Sequence, residues 1–189
     1  MRLAAIILTG GASSRMGADK AALAWNGRPA VDRLGDVARR AGAERILTAG
    51  GGDYGLARVD DRAPGGGPVA GIMAGVAALE AMGYARVLVL AVDAATVRPD
   101  DLAPLAAAAS PGAAYEGLHL PLVMDIAAAP RDAGAGWAVG RLIERAGLAR
   151  LPCAAGATER LRGANTPEER ERLLVALIEA ESAEEGGAA

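Results

Sequence analysis

Residues 2–20 read RLAAIILTGGASSRMGADK, and they contain the clearest indication of the fold class. Arg2 to Thr9 is a short apolar run stopped by glycines, which predicts a buried parallel β-strand. Gly10 to Lys20 predicts a loop at the carboxyl end of that strand, where open α/β sheets bind ligands. Its glycines let backbone N–H groups approach phosphates, and Arg15 and Lys20 add cations that suit phosphate oxygens. The stretch therefore predicts a loop that binds nucleotide phosphates.

Two familiar phosphate-binding motifs do not fit this loop. The P-loop needs four residues between its glycines and then Gly-Lys-Ser/Thr, and the dinucleotide fingerprint places its third glycine at a helix start. Neither spacing is present in residues 10–20. The two adjacent glycines alone would also be consistent with a flexible surface loop that carries two solvated cations.

The rest of the chain alternates between predicted strands and predicted helices. Strands are predicted over 44–49, 56–59, 86–92 and 118–127, and helices over 29–41, 69–82, 99–109 and 137–146. Thr166 to Glu169 forms a capping box with Pro at the first helical position, which predicts a final helix, and the run from Glu168 to Arg172 is interpreted as its solvated face. This alternation indicates a mostly parallel sheet covered by helices on both faces. Residues 1–180 are predicted to form one domain, followed by a disordered tail over 181–189.

Composition argues against several functional classes. The chain has 189 residues, a net charge of -3, one Cys and 3% aromatic residues, while 52% of its residues are hydrophobic. A nucleic-acid binder usually shows a basic face and stacking aromatics, and a disulfide framework or zinc site needs more Cys or His. The apolar run Leu3 to Leu8 is too short to span a membrane. We therefore expect a cytoplasmic protein without nucleic-acid or membrane partners.

Asp93 is a further candidate site residue, after Arg15 and Lys20. It ends the strongest predicted strand, Arg86 to Val92, and an acidic residue there is poorly explained as part of a core. It should lie at the carboxyl edge of the sheet, beside the first loop. Carboxylate oxygens suit Mg²⁺ that is shared with phosphates. The alternative is a turn residue that ends the strand.

The first loop resembles that of the molybdenum cofactor guanylyltransferases, which belong to a wider group of nucleotidyltransferases. Members of the family typically read Leu-Ala-Gly-Gly, a few residues, Arg-Met-Gly and then Asp-Lys, and here Thr9 replaces the Ala. Gly67 to Gly71 is similar to the family's Gly-Pro-Leu-Ala-Gly, and Asn165 to Glu168 matches a third segment. The resemblance implies a Rossmann-like three-layer α/β/α nucleotidyltransferase fold with a mostly parallel, mixed sheet.

The resemblance also implies a reaction and the residues that perform it. The expected reaction transfers GMP from GTP to molybdopterin, or to a related phosphorylated acceptor, and releases pyrophosphate. Lys20, Arg15 and Asp93 would be catalytic, and Asp93 would hold Mg²⁺. Asn165 would lie near the acceptor. The expected nucleotide-binding residues are Leu8, Thr9, Gly10, Gly11, Lys20, Asp61 and Asp93.

Asp61 matches a family carboxylate that helps to recognise guanine. A carboxylate suits that task because guanine N1–H and N2–H₂ form a paired donor edge. A turn residue is the alternative interpretation of Asp61.

The chain departs from the family pattern at three places. No Pro follows two positions after Asp93, Gly163 replaces the first Asn of the family's Asn-X-Asn-Thr-Pro, and residues 50–52 are all glycine where many relatives carry a polar residue near the base. Two alternatives therefore stay open. One is a cytidylyltransferase of the same fold that acts on a related cofactor or a small phosphorylated or alcohol acceptor. The other is a non-catalytic homologue that binds a nucleotide.

Overall fold

The structure is a computed structural model that describes residues 1–10, 19–59 and 65–187, with only the helical backbone over 184–187. Its strands are β1 (Leu3–Leu8), β2 (Ala24–Trp25), β3 (Arg28–Pro29), β4 (Arg45–Ala49), β5 (Ala57–Val59), β6 (Arg86–Ala91), β7 (Gly112–Tyr115), β8 (Leu122–Asp125) and β9 (Ala149–Leu151). Its helices are α1 (Ala30–Arg40), α2 (Pro68–Ala81), α3 (Pro99–Ala106), α4 (Val139–Arg145), α5 (Ala157–Arg162) and α6 (Pro167–Gly187).

Seven of these strands form one mixed sheet, in the order β5-β4-β1-β6-β8-β7-β9. Strand β8 runs antiparallel to β6 and β7, while the other four pairings in the sheet are parallel. Strands β2 and β3 form a separate hairpin. The predicted α/β class with a mostly parallel, mixed sheet is confirmed.

The hydrophobic core lies in two layers, one on each face of the sheet. Successive residues of a strand point to opposite faces, so the odd-numbered residues of β1 pack with α1, α3, α5 and α6, and the even-numbered ones pack with α2 and α4. Helices on both faces confirm the three-layer arrangement. Among the described residues, none of the helices is both long enough and apolar enough to cross a membrane.

The predicted strand over 118–127 differs from the observed one. Strand β8 starts at Leu122, directly after Pro121, because a proline has no N–H to donate to the sheet. The sequence also gives no prediction for β7, β9, α5 or the β2–β3 hairpin. Strand β7 reads Gly-Ala-Ala-Tyr, and such small residues carry little β-propensity.

The final helix begins as the sequence predicts but extends further. The backbone N–H of Glu169 donates to Thr166 Oγ1 at 3.2 Å, and Thr166 N–H donates to Glu169 Oε2 at 3.1 Å, which is the reciprocal pair of a capping box. The helix includes residues 181–187 of the tail that we expect to be disordered. Glu181 accepts hydrogen bonds from Asn26 Nδ2 at 2.6 Å and Arg33 Nη2 at 2.7 Å, and these contacts hold the last turns against the hairpin and α1.

Candidate active site

The carboxyl ends of β1, β4 and β6 meet at one edge of the sheet. Leu8 is in register with Ala49 of β4 and with Ala91 of β6. The chain segments that follow these three strands therefore leave the sheet side by side. They contain the start of the glycine loop, the glycines at 50–52 and Asp93.

Gly10 and Gly50 bring two backbone segments into direct contact at this edge. A Cβ on Gly50, whose φ is +82°, would lie 2.5 Å from Gly10 Cα. Thr9 Oγ1 donates to Gly50 O at 2.6 Å. The N–H groups of Thr9 and Gly10 both donate to Ala49 O, at 2.9 and 3.2 Å. Both N–H groups are thus used within the fold. The two backbones can lie this close together because neither Gly10 nor Gly50 has a side chain.

Lys20 links the end of the glycine loop to the C-terminal part of the chain. Its Nζ donates to Ala164 O at 3.3 Å and to Asn165 Oδ1 at 3.4 Å. Lys20, Asp93 and Ala164 all line one small cavity. The structure thus brings together three of the residues predicted for the site, which are Lys20, Asp93 and Asn165.

Asp93 is half-buried in this cavity. Burial raises the pKa of its carboxyl group above the usual value, and the positive charge of Lys20 partly opposes this effect. The ionised form of such a carboxylate is stabilised further when a second cation or another hydrogen-bond donor lies close to it, in addition to Lys20.

Gly163 presses against the peptide group that follows Asp93. Its φ is +73°, and a Cβ at this position would lie 2.4 Å from Asp93 O and 2.7 Å from Ala94 N. Ala164 N–H donates to Asp93 O at 3.0 Å. The glycine found where the family pattern has Asn thus has a physical reason, because no side chain fits between the two backbones here. The sequence shows this glycine only as a departure from the family pattern and gives no sign of the contact.

Tyr54 forms a contact that no local pattern in the sequence predicts. Its hydroxyl donates to Asp19 Oδ2 at 2.7 Å and accepts from Gly52 N–H at 2.9 Å. Asp19 Oδ1 accepts from Ala21 N–H at 3.0 Å. Burial is the main cause of the raised pKa of Tyr54, so the phenol stays protonated and able to donate. The loop after β4 therefore contacts both ends of the glycine loop.

Three predicted site residues, Gly11, Arg15 and Asp61, lie outside the described residues. Within the described ranges 1–10, 19–59 and 65–187, His, Cys, Asp and Glu form no cluster of three or more that could hold a metal by themselves. Mg²⁺ usually takes one or two carboxylates and completes its shell with substrate phosphates and water. A single half-buried carboxylate at Asp93 fits that manner of binding.

A sheet edge that carries a glycine loop, a lysine and a half-buried carboxylate places the chain among the α/β nucleotidyltransferases. Residues 5–163 match the sequence pattern of the MobA-like NTP transferase domain. The chain belongs to this family, whose members generally use a divalent metal ion.

Known relatives and solved structures agree with this family. The chain is 34% identical to a molybdenum cofactor guanylyltransferase of Xanthomonas euvesicatoria pv. vesicatoria, over 89% of this chain and 93% of that protein. The molybdopterin-guanine dinucleotide biosynthesis protein A from Archaeoglobus fulgidus superposes with a TM-score of 0.60 at 16% identity, over 95% and 100% of the two chains.

A 2-C-methyl-D-erythritol 4-phosphate cytidylyltransferase from Thermus thermophilus superposes equally well. Its TM-score is 0.63 at 19% identity, over 94% of this chain and 99% of that one. Enzymes named for different bases thus share the fold, so the fold alone does not choose the base.

Proposed function

We propose that this chain transfers GMP from GTP to molybdopterin and releases pyrophosphate. The observation that carries the proposal is the proximity of Lys20 and Asp93 at the carboxyl edge of the sheet. The guanylyltransferase relative, which matches 89% of the chain, supports guanine as the base and molybdopterin as the acceptor.

The reaction needs charge neutralisation and alignment more than proton transfer. An oxygen of the acceptor's terminal phosphate attacks the α-phosphorus of GTP and forms a new P–O bond. The bond from the α-phosphorus to the bridging oxygen breaks, and pyrophosphate leaves with the electron pair. A phosphate monoester is mostly dianionic near neutral pH, since its second pKa is about 6, so the attacking oxygen needs no general base. The barrier is the mutual repulsion of the phosphates.

The residues of the edge can lower that barrier. Lys20 is held at the cavity by Ala164 and Asn165, and from there its ammonium can donate to phosphate oxygens. Arg15 would supply a second cation. Asp93 would hold Mg²⁺, and the ion, when bound, supplies positive charge to the phosphate oxygens. Burial raises the pKa of the Asp93 carboxyl group. A cation beside the group would lower that pKa again and so favour the ionised form that binds a metal.

Asp61 would accept hydrogen bonds from N1–H and N2–H₂ of guanine and so select GTP. Asp61→Asn should then weaken the preference for GTP over CTP. The same substitution should leave affinity for the triphosphate group itself largely unchanged, because that part is bound by Lys20 and Arg15.

The decisive experiment compares GTP, CTP and ATP in the presence of Mg²⁺, first by thermal shift and calorimetry and then by pyrophosphate release with molybdopterin. We expect GTP to bind best, and at 100 times its Kd it should stabilise the fold by about 2.7 kcal/mol. Tighter binding of CTP would contradict the guanylyltransferase assignment and favour a cytidylyltransferase. GTP binding without pyrophosphate release would favour a non-catalytic homologue.

A further inference from the structure

The connection between α5 and α6 contacts both Asp93 and Lys20. Gly163 lies against the peptide group that follows Asp93, and Ala164 N–H donates to Asp93 O at 3.0 Å. From the same connection, Ala164 O and Asn165 Oδ1 accept hydrogen bonds from Lys20 Nζ. The position of this connection therefore determines how Asp93 and Lys20 lie relative to each other.

An ion pair joins α5 to the first turn of α3. Arg160 Nε donates to Asp101 Oδ2 at 2.9 Å, and Arg160 Nη2 donates to Asp101 Oδ1 at 2.6 Å, which is a bidentate arrangement. The side chain of Asp101 is 6% exposed and that of Arg160 is 26% exposed. Arg160 Nη1 also donates to Gly156 O at 2.8 Å, at the start of α5. The guanidinium thus fixes α5 against α3 with all three of its nitrogens.

Asp101 has a fixed position of its own in the segment that follows Asp93. Its Oδ2 accepts from Arg98 N–H at 2.9 Å, which caps the first turn of α3. Tyr115, the last residue of β7, donates its hydroxyl hydrogen to Asp101 O at 2.5 Å. Burial raises the pKa of Tyr115 to about 12, so the phenol stays protonated and able to donate. Arg160 therefore binds a carboxylate that the helix and the sheet already hold in place.

Two links join the segment that begins at Asp93 to the segment that leads from α5 into α6. One is the hydrogen bond from Ala164 N–H to Asp93 O, and the other is the Asp101–Arg160 ion pair. A buried ion pair often adds little net stability, because the cost of removing both charges from water offsets their attraction. Its bidentate hydrogen bonds add geometric specificity instead. The pair is therefore better suited to fixing the geometry beside Asp93 than to stabilising the fold.

We propose that Asp101 and Arg160 are positioning residues that hold the α5–α6 connection, and with it Asp93 and Lys20, in the arrangement that transfer requires. The effect on transfer rests on the proposed function. The effect on the hydrogen bond between Ala164 and Asp93 rests on the contacts of the fold alone.

The test uses Asp101→Asn, Arg160→Met and Arg160→Lys, with Asp125→Asn as the matched control. Asp125 and Arg86 form another ion pair of low exposure, 10% and 12%, with 3.7 Å between Asp125 Oδ1 and Arg86 Nη1. That pair joins the end of β8 to the start of β6, so it lies at the opposite edge of the sheet from Asp93. Asp125→Asn therefore disturbs a buried ion pair without disturbing the site.

Turnover is measured well below the Tm of every variant. Asp101→Asn and Arg160→Met should lower kcat about 10- to 100-fold and raise the Mg²⁺ concentration that gives half-maximal turnover. Arg160→Lys keeps the charge opposite Asp101 but lacks the planar fork, so it should fold and recover part of the lost kcat. Asp125→Asn should lower Tm and keep the kcat of the wild type. A purely structural role would lower Tm in all these variants and leave kcat unchanged.

Amide hydrogen exchange gives a second readout that does not depend on catalysis. Ala164 N–H should exchange about tenfold faster, or more, in Asp101→Asn and Arg160→Met than in the wild type and in Asp125→Asn. The amide of Ile6, in the middle of β1, serves as the reference because exchange in a central strand reports global unfolding.

The two readouts separate failure of this inference from failure of the proposed function. If the wild type transfers GMP while Asp101→Asn and Arg160→Met keep its kcat, the inference is overturned. If the wild type transfers nothing, the proposed function fails, and exchange at Ala164 decides the positioning role alone. Equal exchange at Ala164 in the wild type and in both variants would then overturn it.

Discussion

The contact between Gly163 and the peptide group after Asp93 makes a specific prediction for Gly163→Ala. The added Cβ would lie 2.4 Å from Asp93 O, whereas ordinary contacts of this kind begin at 3.4 Å. The two backbones must therefore separate by about 1 Å. Since Asp93 is in one of them, the substitution should displace the proposed metal ligand without altering its chemistry.

The magnitude follows from two costs. Gly163 has φ +73° and ψ -177°, a region that is nearly exclusive to glycine, and placing Ala there costs about 1–3 kcal/mol. Overpacking adds about 1–3 kcal/mol, so unfolding should become easier by about 2–6 kcal/mol. For a chain of this size, that lowers Tm by roughly 5–20 °C. A displacement of 1 Å at a reacting group can lower kcat about 100-fold.

Gly156→Ala is the matched control. Gly156 also has a positive φ, +77°, but a Cβ there would meet nothing within 4 Å. Its substitution should cost about 1–2 kcal/mol and leave turnover unchanged. The assay compares Tm, pyrophosphate release and GTP affinity with and without Mg²⁺ for both variants. Gly163→Ala should lose turnover and the Mg²⁺ effect while keeping Mg²⁺-free GTP binding. Equal turnover and equal Tm in the two variants would show that the close contact of Gly163 does not position Asp93.

Three further predictions concern the same edge of the sheet. Lys20→Ala should keep the fold and lower transfer by orders of magnitude, and turnover equal to the wild type would remove Lys20 from the mechanism. Asp93→Asn should abolish transfer and the Mg²⁺ dependence of GTP binding, yet be as stable as the wild type or slightly more stable at neutral pH. Because the pKa of Asp93 is raised in the folded protein, the folded protein binds this proton more tightly than the unfolded chain does. Protonation of Asp93 therefore favours folding. This contribution is complete below the unfolded pKa near 3.8 and is lost as the pH rises through the folded pKa. Chemical denaturation should therefore be measured at several pH values for Asp93→Asn and the wild type. We expect the difference between their free energies of unfolding to shrink toward acidic pH. A difference that grows toward acidic pH would contradict this expectation. Tyr54→Phe removes the hydrogen bond to Asp19 and should cost about 1 kcal/mol and raise the KM for GTP several-fold, whereas Tyr84→Phe, whose ring lies against Arg2, should not change that KM.

The sequence predicts the parts of the fold that depend on local patterns. The apolar runs of β1 and β6 and the capping box before α6 are local signals, and the structure contains all three elements near their predicted positions. Strand β7 is absent from the prediction because Gly-Ala-Ala-Tyr has the composition of a loop. It becomes a strand because it pairs with β8 and β9 on its two sides.

The site depends on contacts between distant residues, and local patterns contain no information about these. Asp93 at the end of β6 is visible in the sequence because a carboxylate after an apolar strand is unusual. The partners of Lys20 lie 144 and 145 residues away, and Asp19, which accepts from the Tyr54 hydroxyl, lies 35 residues from Tyr54. Gly163 illustrates the limit, since its role depends on how close two backbones approach.

The two outermost strands of the sheet, β5 and β9, form its two edges. Within the described residues each is only three residues long, and each carries an exposed arginine at its centre, Arg58 and Arg150. A long, flat, apolar edge would offer unpaired backbone groups to a strand of another copy. Short edges with a charged centre oppose such pairing, and Arg150 also donates to Tyr115 O and Leu118 O. The sheet is therefore protected at both ends against edge-to-edge aggregation.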